Sequence, residues 1–366
     1  MTVCTEYSIA KQINRSFIMK DNELTLSRRV FILSAGSVTG QKEKNGPLGK
    51  LFDISGDDKF GKDTWEKSEA EMQRIALRIA LNKSGISEND IDALFAGDLI
   101  NQCISSSFGV ISFNIPFLGL FGACSTAAEG MIMSAVYASS VCKRCASVTS
   151  SHFCSAERQF RYPLEYGGQR PPTAQWTVTG AGAFVYSSDV RDLMAYQYDT
   201  VPEIVSVTPG RLTDWGITDA GNMGAAMAPA ASDTLDGFMA HHSPCEYEMI
   251  ITGDLGREGS AILVDLLKSK NIDISGNHVD CGMMIYNSDK SDTHAGASGC
   301  GCSAVVMAAD ILENIRQGKL KKVLFMATGA LMNTLSVNQG QSIPGVAHLV
   351  EIHAADVTKL RGEKQC

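Results

Sequence analysis

Apolar positions fall along this chain in short runs and in helical stripes that follow one another, and the alternation predicts strands and helices in turn. Val30–Ala35 is a strand-length apolar run. From Asp63, with Glu66 three places on as a capping box, Met72, Ile75, Ala76, Ile79 and Ala80 recur at three-to-four spacing, which predicts a helix closed by Gly85. Ile91–Leu99 reads as a strand, Gln102–Phe113 as a helix, and Pro116–Phe121 as a strand that breaks at Gly122. Small residues then lead through Cys124 into Met131–Tyr137, the pattern of a buried helix, and Cys145–Ser150 follows as a strand. From Ser151 to Thr177 the periodicity disappears, and an irregular segment of that length in a compact domain points to function.

The same order then recurs. Val178–Ser188 and Glu203–Thr208 read as strands, Ala228–Met239 as a helix, and Tyr247–Leu255 as a strand ending in Gly-Asp-Leu, as Ile91–Leu99 does. Gly296–Leu312 repeats the small-residue approach to a buried helix, which sets Cys302 against Cys124, and Lys322–Thr328 matches Cys145–Ser150. The chain therefore reads as two tandem α/β units, residues 29–190 with the irregular loop 151–177, and residues 191–366, behind a loosely attached extension at 1–28. Each unit is expected to hold a mostly parallel sheet with helices on both faces. Ligands in such sheets sit at the carboxyl ends of strands, so Asp98, Cys124, Asp254 and Cys302 are expected near one pseudo-twofold axis.

Composition limits what such a scaffold does. With 366 residues, 44% hydrophobic and 20% charged, the chain is large enough for two fused cores. A formal charge of −8 and a pI near 5.4 argue against a nucleic-acid surface. No apolar run approaches the roughly 20 residues of a membrane helix, and the first residues lack the basic-then-apolar order of a signal peptide. Eleven cysteines without framework spacing suit a reducing compartment. Neither Cys142-Lys143-Arg144-Cys145 nor Cys300-Gly301-Cys302 has the paired spacing of a zinc site, and the Gly36–Asp53 loop lacks a phosphate-cradle motif, so no metal or cofactor is expected. Cys124 itself, at a strand-to-helix turn whose amides and dipole favour a thiolate, is open to three roles: nucleophile, anion-facing ligand group, or buried thiol.

The duplicated unit, the Cys124 turn and the G-C-S-A-V-V helix start at Gly301–Val306 resemble the thiolase superfamily, especially its ketoacyl synthase-like condensing enzymes, over roughly residues 30–352. L-F-G-A-C-S-T (Leu120–Thr126), A-E-R-Q-F-R-Y-P-L-E-Y-G-G-Q (Ala156–Gln169), V-T-G-A-G-A (Val178–Ala183), M-G-A-A-M-A-P-A-A-S-D-T (Met223–Thr234) and S-I-P-G-V-A-H (Ser342–His348) are similar, more closely, to a thiolase-like sporulation family of endospore formers that binds dipicolinic acid. The resemblance implies a layered α-β-α-β-α fold and a pocket at the Cys124 turn. The condensing enzymes' nucleophile position is kept as Cys124. Their second-half His position reads Thr252-Gly253-Asp254-Leu255, and their Asn or His position at the later helix start is taken by Cys302. Those partners donate hydrogen bonds to a thioester oxyanion, which an ionised Asp254 would repel, so a binding protein on an enzyme scaffold is expected. The alternative is a condensing enzyme acting on acyl-CoA or acyl-carrier protein, or a degenerate thioesterase, through Cys124.

Dipicolinate is a flat ring with two carboxylates and calls for cationic forks and flat walls. Arg158, Arg161 and Arg170, with Phe160, Tyr162, Tyr166 and Trp176, supply both within one loop, although the same arginines are equally suited to pin that loop to Glu157 or Glu165. His152 is a further donor candidate or a structural histidine. Asp98 and Asp254 oppose a dianion unless they are protonated, turned away or bridged by a metal such as calcium, so the ligand is expected alone or as its calcium chelate; the competing role for both aspartates is helix capping. The resemblance also implies a homodimer built across Pro116–Phe121 and work in the forespore and spore, peripheral at the inner membrane beside membrane-embedded proteins.

Overall fold

The computed structural model describes residues 18–20, 22–161, 170–287 and 291–362. Its first seven strands are β1 (Ile18–Lys20), β2 (Glu23–Thr39), β3 (Ile54–Ser55), β4 (Ala93–Gly97), β5 (Phe117–Leu120), β6 (Arg144–Ser151) and β7 (Trp176–Thr177). The remainder are β8 (Gly180–Ser187), β9 (Thr200–Thr208), β10 (Met249–Thr252), β11 (His278–Asp280), β12 (Ala297–Ser298), β13 (Lys322–Ala330) and β14 (Gly345–Asp356). One continuous path runs β11-β10-β13-β14-β9-β2-β8-β6-β4-β5.

β2 and β9 pair antiparallel at the centre of that path, and the strand directions repeat outward on either side. β2–β8 and β8–β6 are antiparallel, then β6–β4 and β4–β5 parallel. On the other side β9–β14 and β14–β13 are antiparallel, then β13–β10 and β10–β11 parallel. Each half is thus a mixed sheet rather than the mostly parallel one expected. β8 is buried at every position, and a strand covered on both faces carries the same continuous apolar run whichever way it points. β2 also starts at Glu23, inside the segment read as an extension, and Arg29 ties it to Glu203 of β9 at 2.6 Å.

Helices separate and cover the two halves. The Trp65–Ser84 helix lies on β2, β8 and β6, and Met223–Met239 lies on β13 and β14 with Gly256–Ser269 beside it. Between the halves runs Thr126–Ser140, which touches β2, β4 and β6 on one side and β13 and β14 on the other; Cys300–Val306 packs next to it against β6 and β8. Thr126–Ser140 is apolar or small almost all round, as a helix enclosed by two sheets must be. The result is the five-layered α-β-α-β-α order.

Local signals set the boundaries. Thr64, one residue after the expected cap, accepts from the Lys67 amide at 3.3 Å, and Gly85 closes the helix at φ +70°. Within 151–177, read as irregular, Phe153–Arg161 is a helix and β7 a short strand. The Phe153 ring stacks on Trp176 at 4.0 Å, which joins that helix to β7.

Candidate active site: the Cys124 turn

β5 ends at Leu120, and the chain turns through Gly122 and Ala123 before the Thr126–Ser140 helix begins. Ala123 holds a positive φ of 51°, an uncommon conformation for a residue with a Cβ, and side chains brace the turn around it. Ser125 Oγ donates to the Gly122 carbonyl at 2.6 Å, Thr126 Oγ1 donates to the Ala123 carbonyl at 2.7 Å, and the Gly122 amide donates to Thr126 Oγ1 at 3.0 Å. The turn is pressed onto β13 of the other half. A Cβ on Gly329 would lie 2.3 Å from the Gly122 carbonyl oxygen, so this close approach requires glycine.

Cys124 is 6% exposed and faces Asp254 just beyond β10. Burial pushes the Cys124 thiol well above its ordinary range, and the Asp254 carboxylate that it hydrogen-bonds raises it further. Of the three roles left open, the buried thiol is the one these surroundings favour, because burial and the neighbouring carboxylate both oppose a thiolate. Asp254 Oδ2 accepts from the Gly299 amide at 2.8 Å and Oδ1 from Thr328 Oγ1 at 3.1 Å. Burial lifts this carboxyl to about 7, against the hydrogen bonds from Cys124 and Gly299. Asp254 thereby fastens the start of the Cys300–Val306 helix to β13 and to the Cys124 turn.

Cys302 does not stand where the repeat placed it. It is fully buried in the main core, its thiol 3.6 Å from the Gly253 carbonyl. Gly299, at φ +103°, swings the chain so that Cys300 and Ser298 face the Cys124 side. Cys300 packs with Leu99, Cys124 and Ala156, and its thiol donates to the Ser150 carbonyl at 2.9 Å.

The other candidates are engaged elsewhere. Asp98 accepts from the Ile100 amide and from the amide and hydroxyl of Ser106 at 2.6–2.8 Å, which makes it a cap of the Ile104–Val110 turn rather than a pocket group. His152 Nδ1 accepts from the Cys154 amide at 3.1 Å, so Nε2 carries the proton and donates to the Asp58 carbonyl at 2.7 Å. Burial lowers its pKa, and the neutral ring pins a loop. Arg158 pairs with Glu66 on the Trp65–Ser84 helix, a pinning role with a partner other than the two expected. Arg170 donates to the Gln175 carbonyl and lies 4.9 Å over the Trp176 ring. The side chain of Arg161, and Tyr162, Glu165 and Tyr166 altogether, lie outside the described residues.

Of the seven residues named for the site, Cys124 and Asp254 come together, and Cys302 lies behind them in the core, near enough for both to raise its thiol further after burial. Beside Cys124 is a cavity of about 40 Å³, bounded by Leu99, Ala156, Phe160 and Thr177 on one side. Met223, Ser298, Ala330 and Met332 close the other. It has room for one or two waters and is walled mainly by apolar groups. These residues come from segments distant in sequence. Only the pairing of β7 with β12, which aligns Thr177 with Ser298, brings two of them into one register, and no local pattern announces it.

A buried polar network that the sequence did not suggest runs below this cavity. Glu69 accepts from Ser150 Oγ at 2.8 Å and Ser155 Oγ at 2.9 Å, and Gln73 Nε2 donates to Ser106, Ser150 and the Gly97 carbonyl. Burial, with Asp98 nearby, lifts Glu69 to about 8. Asp280 accepts from the Leu255 and Gly256 amides and from Thr252 Oγ1, and is lifted by burial to about 6. Among the described residues no group of three His, Cys, Asp or Glu side chains is arranged to hold a metal ion.

The sequence profile of stage V sporulation protein AD matches residues 20–353. Stage V sporulation protein AD of Bacillus subtilis (strain 168) is 43% identical over 330 residues, spanning 89% of this chain and 95% of the relative. Among solved structures, OleA of Xanthomonas campestris with cerulenin superposes with a TM-score of 0.57 at 14% identity, over 92% of this chain and 99% of its own. AbyA1, a tetronic acid condensing enzyme, superposes at 0.52 with 13% identity, over 88% and 99%. The fold is thiolase-like.

Proposed function

Because the chain belongs to the stage V sporulation protein AD family, we propose that it binds dipicolinic acid during sporulation and germination, without acyl transfer, at the cavity beside Cys124. The observation that carries this reading is the exchange at the catalytic positions. The Cys124 turn is kept, but its thiol is held protonated against Asp254, and the residues lining the cavity supply two hydroxyls, those of Ser298 and of Thr177, the latter already donating to Glu157, where a condensing site needs oxyanion donors.

At about 40 Å³ the cavity is smaller than the ligand, so binding enlarges it. The wall that gives way is the Phe153–Arg161 helix, which contributes Ala156 and Phe160 and carries Arg161 at its end. Titration calorimetry with dipicolinate tests this. Phe160→Trp, which fills the cavity, should weaken binding at least tenfold while leaving the melting temperature near that of the parent. Unchanged affinity would place the ligand elsewhere. Asp98 and Asp254 both accept internal hydrogen bonds, which favours the ligand alone over its calcium chelate, so affinity should be equal with calcium and with a chelator.

The protein works as a homodimer in this proposal. β5 is the edge of the sheet and exposes Phe117 and Leu118, with Phe121 following it. Phe108 and Ile111, on the adjoining helical segment, are 66% and 73% exposed. An apolar edge strand of this kind is stabilised by pairing with a second copy. Phe108→Asp should convert the dimer to monomer, and light scattering after gel filtration that finds the same mass in both would remove the proposal. No described helix is long and apolar enough to cross a membrane, and we assign contact with the spore inner membrane to membrane-embedded partners.

A further inference from the structure

Away from the Cys124 turn, two other thiols stand against each other. Cys142 and Cys145, whose spacing does not suit zinc, bring their sulfurs to 3.2 Å where the Thr126–Ser140 helix gives way to β6.

The main chain fixes both of them. The Cys142 amide donates to the Tyr137 carbonyl at 2.9 Å, and Arg28 of β2 donates from Nη2 to the Cys142 carbonyl at 2.7 Å and from Nε to the Ser139 carbonyl at 2.6 Å. Between the cysteines, the Lys143 and Arg144 amides both donate to Asp92 Oδ2, at 3.0 and 2.9 Å, and the Arg144 guanidinium takes both carboxylate oxygens of Asp192. Cys145 lies within β6, aligned with Ala93 of β4 and Tyr186 of β8. A disulfide needs its sulfurs about 2 Å apart, so closing this pair asks for a small side-chain adjustment and leaves the backbone bonds in place.

The two thiols differ in access. Cys145 is fully buried, whereas Cys142 is half-buried and within reach of solvent. Burial raises both thiols, and Asp92 adds to it. At Cys142 the hydrogen bond from the Cys145 thiol and the Arg28 guanidinium act against that rise, and at Cys145 the same hydrogen bond adds to it. The reachable sulfur is therefore the first to ionise, with the buried one behind it in position to resolve an adduct.

We propose that Cys142 and Cys145 form a modification site, a dithiol that a low-molecular-weight disulfide converts to an intramolecular disulfide. The Cys142 thiolate attacks one sulfur of the reagent, whose S–S bond breaks, and its other half leaves as a thiol. The Cys145 sulfur then loses its proton, bonds to Cys142 and expels the second half, which leaves as a thiol in turn. The protein gives up two protons and two electrons, and the reagent takes them. The new bond ties β6 to the far end of the helix that begins at the Cys124 turn.

Oxidised glutathione is the probe, applied to the full chain and read by alkylation, intact mass and tryptic mapping. Trypsin cleaves at Lys143 and Arg144, between the two cysteines, so the disulfide appears as one linked species two hydrogens lighter than its parts and is undone by dithiothreitol. In about 1 mM each of reduced and oxidised glutathione, most chains should hold the link at equilibrium, and the equilibrium constant should fall at least tenfold in guanidinium, where the contact is lost. Cys142→Ser should leave Cys145 unmodified, because the buried thiol has no reachable partner to begin the exchange. Cys145→Ser should stop the reaction at a glutathione adduct on Cys142. Absence of the link in the parent protein, a persistent glutathione adduct there, a bond from either cysteine to a different one, or an equilibrium constant as large in the unfolded chain as in the folded one would each overturn the assignment.

Discussion

Asp254→Leu is expected to lower the unfolding free energy by about 3–5 kcal/mol, the range seen when one member of a buried polar set is removed and its partners are stranded. The stranded groups are the Gly299 amide, the Thr328 hydroxyl and the Cys124 thiol, all with negligible access to water. Because these three lie on the later helix, on β13 and on the first-half turn, the loss should appear as one cooperative drop in denaturant midpoint. Asp254→Asn keeps the shape and an accepting oxygen but removes the charge, so it should cost far less. It should also raise the alkylation rate of Cys124 by iodoacetamide several-fold at pH 8, followed by intact mass. A larger gain is not expected, since burial outweighs the carboxylate in raising the thiol. An unchanged rate in Asp254→Asn would mean that the carboxylate has no hold on the sulfur.

The second large effect is a loss of stability as the solution becomes alkaline. Burial lifts Glu69 to about 8 and both Glu43 and Asp254 to about 7, from ordinary carboxyl values near 4. Folded protein therefore holds protons that unfolded protein has released, and unfolding free energy falls as pH rises through those folded values. Each proton so held is worth about 1.4 kcal/mol per pH unit. His278 and His348, buried neutral with pKa values lowered to about 4, act with the opposite sign, but their influence ends near pH 6.5, where the unfolded histidines lose their charge. From pH 6.5 to 9 the acids act without that opposition, and the melting temperature should fall by several degrees. Glu69→Gln, whose amide accepts from one of Ser150 and Ser155 and donates to the other, should flatten the decline. A melting temperature constant across that range in the parent protein would contradict the protonated carboxyls.

The fold was legible because its elements carry strong periodic signals. The stripe Met72–Ala80 with Gly85, the matched Gly-Asp-Leu ends of β4 and β10, and the small residues ahead of Thr126–Ser140 gave helix, strand and repeat. Strand direction was not legible, because β8 is buried on both faces and offers no alternation to read. At the site, Cys124 and Asp254 stood out as residue types at strand ends. Cys302 misled because the repeat was aligned on cysteines, whereas the left-handed Gly299 moves the facing position back to Cys300 and Ser298. Asp98, His152 and Arg158 have the right chemistry for a dianion, but their partners are the Ser106 amide, the Asp58 carbonyl and Glu66, and nothing in the local sequence of either side records those contacts.

The placement of β14 has a consequence for how the chain is made. In the first half the strand that closes the sheet, β8, is complete at residue 187, so β2 and β6 find their common neighbour with much of the chain still to be synthesised. In the second half β14 occupies the same inner place between β9 and β13, yet it is residues 345–356. Until those residues leave the ribosome, β9 and β13 each present an open edge, and an open edge pairs with whatever strand it meets. The newborn protein is thus open to mispairing until residues 345–356 have emerged, and the risk lies in the second half.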